Sequence, residues 1–229
     1  MARLRKQVLG QLQGGIADVK IKYRNGKPYV ASKPARFNTG KDPVTLFKKN
    51  QGKFIGRLSS VIYKIDILKN IWSAFNIKKG YTYQLIWSRN YSSIKNFDLS
   101  GFATLVPSAG FKVINPLIVL KNNDKGKITI PPLGLNSGIN PAIEKKLIAV
   151  GTVVQKKDSP GATFEFGFMA INSEPVNLDL TTPLEINIEA NPITKWTLFE
   201  FSMQKIFITL ITLDDSGSPI HYSEVISGG

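Results

Sequence analysis

Apolar and charged residues alternate near the start of the chain. Val19, Ile21 and Tyr23 are interleaved with Asp18, Lys20, Lys22 and Arg24, the period of two that marks a half-exposed strand. Asn25-Gly26 follows, a dipeptide that favours a type I′ turn because both central residues need positive φ. Tyr29 and Val30 then resume the pattern until Pro34. The spacing predicts a β-hairpin over 18–33, which needs a surface to lie against because two strands alone are marginal. Ahead of it, residues 1–16 carry Arg3, Arg5, Lys6 and three glycines and read as a flexible basic arm.

The period changes after the loop at 35–42. Asp42-Pro43 supplies an N-cap followed by proline at the first helical position. Apolar residues then recur at Phe54, Leu58, Val61, Ile65, Leu68, Trp72 and Phe75, a stripe of fours and threes that predicts one long amphipathic helix near 43–72. Lys49, Lys53, Arg57 and Lys64 form a second stripe beside it. Gly52 and Gly56 weaken its first half by about 1 kcal/mol each relative to alanine, and mark either a break or a close approach of another backbone. A helix of roughly 30 residues spans about 45 Å, longer than one face of a small β-sandwich, which leaves part of the stripe for another copy of the protein.

From Tyr81 onward, short runs rich in Val, Ile, Phe and Thr alternate with Gly, Pro, Asn and Ser clusters. They predict strands at 81–88, 100–106, 111–120, 126–131, 147–156, 162–171, 184–190, 196–202, 205–213 and 219–226. The stretch from 196 to 213 reads as a hairpin turning near Met203-Gln204 or as one strand that bends. Many short strands at this spacing point to an antiparallel β-sandwich, and about 130 residues suffice to bury its core. The expected fold is therefore mainly β: a basic arm and hairpin over 1–42, the amphipathic helix over 43–80, and the sandwich over 81–229.

Charge sharpens this division. Residues 1–95 hold 20 of the 30 Lys and Arg but 3 of the 16 Asp and Glu, a net of +17; the remainder nets −3. A field of one sign this strong is self-repelling unless a partner neutralises it. Lys20, Lys22, Arg24, Lys27, Lys33 and Arg36 cluster with Tyr23, Tyr29 and Phe37, and Lys20, Lys22 and Arg24 share one parity on the hairpin. Cations can hold phosphates while aromatics stack on unpaired bases. The same residues can equally bury their rings on the helix and dock their charges on an acidic subunit surface.

Catalytic chemistry finds little support. The chain has no Cys and one His, which excludes a thiolate site, a Cys nucleophile and multi-His metal clusters. No phosphate loop, dinucleotide fingerprint or GxSxG elbow occurs. Asp214-Asp215 sit in a turn sequence, where such residues serve the backbone. Glu165, Glu185 and Glu189 alternate with apolar neighbours as solvated strand positions, and His221 reads as an ordinary strand residue. Trp87 and Trp196 are possible carbohydrate platforms, with burial in the core the better reading of both. No enzyme activity, cofactor or metal is expected. No apolar window reaches the length of a signal peptide or membrane span, so the expected site of synthesis and residence is the cytoplasm until the protein joins an assembly.

The segment that includes Gly14, Gly15, Tyr23, Arg24, Asn25, Gly26, Lys27, Tyr29, Val30, Ser32, Pro34, Gln51 and Phe54 resembles the N-terminus of a group of uncharacterised Bacteroidota proteins. Those proteins begin with a Gly-rich stretch, a hairpin of this kind and a helix rich in Gln and Phe, and then run into β-rich sequence. The resemblance carries no established activity. It implies a component of phage or phage-like particles. Taken together, the expected function is that of a non-enzymatic, self-assembling structural subunit of a virion or similar particle, partnered by copies of itself, by other subunits or by nucleic acid. The alternative is a nucleic-acid-binding protein that uses the basic N-terminal region.

Overall fold

The computed structural model describes residues 14–16, 19–24, 26–32, 43–75, 81–93, 104–121, 125–134, 137–157, 165–192 and 203–228. The chain divides into two compact units, residues 1–46 and residues 47–229.

The first unit holds a three-stranded antiparallel sheet, β1 (Gly14–Ile16), β2 (Val19–Arg24) and β3 (Lys27–Ser32), in the order β1-β2-β3. The hairpin is where the alternation places it. Gly26 takes φ +73° at the turn, a conformation open to glycine because it lacks a Cβ. The register pairs Lys22 with Tyr29 and Arg24 with Lys27. The end of the segment read as a flexible arm is instead a strand, with Gly14 paired to Ile21 and Ile16 to Val19; residues 1–13 lie outside the described residues.

The helix expected near 43–72 is two helices, α1 (Pro43–Lys64) and α2 (Asp66–Phe75). The break falls at Ile65, whose N–H donates to Ile62 O at 3.3 Å before Lys69 N–H picks up Ile65 O at 2.9 Å. Asp66 then stands in the first turn of α2, where a carboxylate suits the free N–H groups and the positive end of the helix dipole. The glycines do not mark the break, and no backbone approaches them closely. A Cβ on Gly52 would meet nothing within 4 Å, and one on Gly56 would meet the Tyr83 hydroxyl at 3.8 Å. The apolar stripe runs across the break: Phe54, Leu58, Val61, Leu68 and Trp72 are buried.

A second correction concerns residues 81–88. They are not a strand but most of a third helix, α3 (Thr82–Ser93). Tyr, Ile and Trp favour strands locally, but the bond from Asn90 Nδ2 to Ile86 O needs a helical turn between them, because a strand would set the two residues about 13 Å apart; both are buried. Asn90 makes that burial possible. Its amide Nδ2 donates to Ile86 O at 3.0 Å and to Thr104 O at 3.2 Å, and its Oδ1 accepts Thr104 N–H at 2.9 Å. That clamp ties α3 to residues 104–106, which are coil where the end of the strand expected over 100–106 would lie; residues 100–103 lie outside the described residues.

The remaining strands are β4 (Leu117–Lys121), β5 (Lys125–Ile130), β6 (Lys146–Lys157), β7 (Glu165–Asn172), β8 (Val176–Asn177), β9 (Leu184–Pro192), β10 (Met203–Leu213), β11 (Pro219–Tyr222) and β12 (Ile226–Gly228). They form one antiparallel sheet in the order β11-β10-β6-β7-β9-β5-β4, with β12 also on β10 and β8 on β6. β10 begins at Met203, where the turn was possible, with Met203 and Gln204 already paired to Lys156 and Gln155; residues 196–202 lie outside the described residues.

The architecture is mainly β and antiparallel, but among the described residues of the second unit there is one curled sheet rather than the two facing sheets of a sandwich. The reason lies in its central strands, which are apolar on both faces. Ile148, Val150 and Val154 of β6, with Phe207 and Ile211 of β10, pack against α1, α2 and α3. Their neighbours Leu147, Ala149, Val153, Ile206, Ile208 and Leu210 face the other way, into a core shared with β5, β9 and β12. A sandwich strand would show one face to water. Here the helices seal one face and the curl of the sheet seals the other. The curl brings the sheet's two ends together: Gly228 of β12 lies against Ile118 of β4, leaving 3.1 Å between its would-be Cβ and Ile118 Cδ1. Phe111 meanwhile bridges to Ser223. Each large apolar side chain fully buried in either core contributes roughly 1.5–3 kcal/mol.

Candidate functional site

The cations singled out from the sequence fall in two places. Lys20, Lys22 and Arg24 lie on β2 and Lys27 on β3, where Lys27 is exposed; Lys33 and Arg36 lie outside the described residues. Lys49, Lys53, Arg57 and Lys64 are all exposed on α1. Their spacing of 4, 4 and 7 puts them on one flank of that helix, away from the buried stripe. Arg57 also reaches the sheet, where Nη1 donates to Phe166 O at 3.4 Å. The three helices together carry Lys48, Lys49, Lys53, Arg57, Lys64, Lys69 and Arg89 against Asp66, a net of +6.

Beside this charge stands a group of aromatic rings that the sequence reading missed. Tyr83, Trp87 and Tyr91 recur every four residues along α3 and so lie on one flank. Tyr83 and Tyr91 are exposed and Trp87 is half-buried against the helical core. Trp87 and Tyr91 stack, their ring centres 4.9 Å apart and the planes 21° from parallel. Tyr63 of α1 meets Tyr83 edge to face at 6.0 Å, and the Lys69 ammonium sits 5.2 Å over the Tyr63 ring, within cation–π range. The Tyr83 hydroxyl donates to Gly56 O at 3.0 Å, which fixes that ring across α1. Tyr63, Tyr81, Thr82, Tyr83 and Gln84 line a cavity of about 330 Å³. The signal was present in YTYQLIWSRNY as an i, i+4, i+8 aromatic repeat; the strand reading of 81–88 concealed it.

The other groups considered for chemistry serve structure. Asp214 closes the turn after β10: its Oδ1 accepts Ser216 Oγ–H at 2.6 Å and Ser218 N–H at 2.7 Å, bonds that hold its carboxyl below the usual range. Gly217 completes that turn at φ +83°. Glu185 pairs with Lys127 at 2.6 Å on the exposed side of the sheet.

His221 is more than a bare strand residue. It lies on β11 with Nδ1 3.1 Å from Oε1 of Glu144, a carboxylate only 1% exposed. Glu144 also accepts Asn140 N–H at 2.7 Å and the Thr212 hydroxyl. Burial pushes the Glu144 carboxyl up, but the bonds from Thr212, Asn140 and His221 outweigh it and leave the group below its ordinary value. The arrangement joins the 140s turn, β10 and β11. Among the described residues no nucleophile is bonded to the imidazole, so they do not assemble the triad geometry of covalent hydrolysis there.

A groove of about 580 Å³ between β5, β9 and the end of β7 is lined by Lys125, Lys127, Asn172, Glu174, Asn187 and Glu189. Its charges are of both signs. The helical layer differs in being almost wholly of one sign and in presenting rings beside its cations. Compared with protein-family models and with curated proteins, the chain matches none. No helix among the described residues is long and apolar enough to cross a membrane.

Proposed function

We propose that this protein is a non-enzymatic structural subunit of a large assembly, of the virion or phage-like-particle kind, in which the curled sheet is the rigid body and the cationic hairpin and helices hold an anionic partner surface. One observation carries the reading: the exposed flank of α1 presents Lys49, Lys53, Arg57 and Lys64 while the three helices offer a single carboxylate. Such a surface gains by meeting negative charge and loses by standing alone. The sheet supports the other half of the reading, because its two apolar faces are already sealed and leave it a scaffold. Nucleic-acid binding is the second reading, favoured by the rings that lie beside the cations.

The test is the size of nuclease-treated protein in solution at low and high salt. Discrete oligomers or filaments at low salt are expected, with dissociation as screening shortens the reach of the charges. Reversal of Lys49, Lys53 and Lys64 to Glu leaves a monomer of unchanged fold. Removal of residues 1–42 has the same effect if the hairpin is part of the contact. A full-length chain that stays monomeric at every salt concentration overturns the reading.

A further inference from the structure

We propose that the aromatic rings of the helical layer hold unpaired bases of a single-stranded nucleic acid, with Lys64 and Lys69 taking phosphates beside them. This rests on the reading of the layer as the grip on an anionic partner, and it names that partner's chemistry.

Tyr83, Trp87 and Tyr91 follow one another at four-residue spacing on α3, a backbone step of about 6 Å along the helix axis, and the Trp87 and Tyr91 ring centres are 4.9 Å apart. That step is wider than the roughly 3.4 Å rise of a stacked duplex strand, and it suits an extended strand whose bases have come apart. The rings are held in place before any ligand arrives. Trp87 and Tyr91 stack on each other, Tyr83 is tethered to Gly56 O, and Tyr63 is held between Tyr83 and Lys69. Fixed rings lose little entropy on binding.

At the start of the ladder, the cavity of about 330 Å³ is walled by Tyr63, Tyr81 and Tyr83. This volume lies at the small end of ligand pockets, roughly 300–1,000 Å³. Thr82 and Gln84 line it too, and a hydroxyl and an amide can each donate to and accept from a base edge. Tyr81 is 64% exposed, so the face of its ring is open to an entering base.

Charge selects among the partners that stack on rings. A sugar also stacks, but a neutral one gives the seven cations of these helices no charge to meet. A duplex hides its base faces and would use the cations without the rings.

The experiment is fluorescence anisotropy of a labelled oligothymidylate with the full-length protein, at several salt concentrations. Binding that weakens steeply with salt is expected. Tyr81→Ala and Tyr91→Ala each weaken it by roughly 5- to 150-fold, the range seen when a stacking ring is removed, while Tyr91→Phe keeps it. Lys69→Gln lowers the log–log salt slope by about 0.7. Trp87 fluorescence is quenched on binding, in parallel with the anisotropy. A duplex of equal length binds more weakly and is indifferent to Tyr81→Ala.

Absence of single-strand binding overturns the proposal. So does an unchanged affinity in both Tyr→Ala variants whose circular dichroism matches the parent, or displacement of the strand by a neutral oligosaccharide. Salt-sensitive self-assembly without strand binding would sink the ladder and leave the structural-subunit reading standing. Strand binding by a permanent monomer would do the reverse.

Discussion

The two faces of the central strands are covered by different means, and the coverings differ on their outer sides. Three helices seal one face through Phe54, Leu58, Leu68, Trp72 and Ile86. The other is sealed by the sheet's own curl, through Ile128, Ile186, Ile188 and Ile226. Among the described residues, the large apolar side chains left in water beyond the sheet are aliphatic: Ile114, Leu117, Val119, Ile143 and Ile220. Beyond the helices they are chiefly aromatic, with Tyr63, Phe75, Tyr81, Tyr83 and Tyr91 exposed among cations. Scattered aliphatics are ordinary on a soluble surface. Rings carrying a polar atom, and the cation of Arg, are instead the groups enriched among residues that carry binding energy at interfaces. The inner faces of the two layers do the same work, so the outer faces are where their roles part.

The most damaging way to probe this comparison is to detach the helical layer. Trp72 is fully buried, and its Nε1–H donates to Leu105 O at 2.7 Å. Trp72→Ala costs about 3–5 kcal/mol, measured by urea unfolding. Trp72→Phe keeps most of the apolar contact but orphans the Leu105 carbonyl, at about 1–3 kcal/mol. If the layer is held mainly by apolar burial, the alanine variant is the worse by a clear margin. Equal losses would give the hydrogen bond the leading part.

The sheet side breaks at a point where no side chain fits. Gly151 of β6 is paired with Ile208 of β10, and a Cβ there would lie 2.0 Å from Phe207 O. Gly151→Ala must therefore shift backbone in the strand pair that both cores share, with an expected loss of at least about 1–3 kcal/mol. Both layers should loosen together, seen as hydrogen exchange rising on α1 as well as on β10. Exchange confined to one face would show the two cores to be independent.

A smaller effect depends on pH. The Glu144 carboxyl is held below its ordinary value of 4.5. Its contribution is thus present in full above the unfolded value and is lost as pH falls through the lower folded value. Glu144→Gln removes the charge and leaves Asn140 N–H and His221 with a poorer partner, at about 1–3 kcal/mol near neutral pH. The gap between parent and variant should close in acid. A gap that stays constant down to pH 2 would mean that the carboxylate's charge adds nothing to the corner it joins.

Much of this organisation can be read from particular residues, and the rest fails for identifiable reasons. The hairpin is legible because Asn-Gly and strict alternation admit one local solution. The stripe from Phe54 to Trp72 is legible because burial repeats with the helical period, although the break at Ile65 is not; a turn of spacing three leaves the stripe intact. The single sheet was concealed by the habit of reading short strands as a sandwich. LIAVGTVV and IFITLITL are apolar on consecutive residues, and a strand of that kind is covered on both sides. The aromatic ladder was hidden by local propensity, since Tyr, Ile and Trp favour strands and only the contacts of Ile86 and Asn90 decide for a helix. Glu144 meeting His221 across 77 residues has no local signal at all.

The mildest test concerns what the outer face of α1 gives up. Gly52 lies in the middle of a helix with nothing within 4 Å of the position a Cβ would take. Its backbone is under no demand that glycine alone meets, because it has no positive φ and no close neighbour. Gly52→Ala should then stabilise the protein by about 0.5–1 kcal/mol through reduced freedom of the unfolded chain. Thermal or urea unfolding reads this gain directly. A helix serving stability alone would have no use for glycine at this place, whereas an outer face that receives a partner has a use for low relief beside Lys49 and Lys53. If the alanine variant is more stable yet assembles less well or binds a single strand more weakly, the cost of glycine belongs to the binding side of the layer. If it is more stable and equal in both other respects, the outer face at that turn is plain solvent-facing helix, and the contrast between the two layers narrows to the rings of α3.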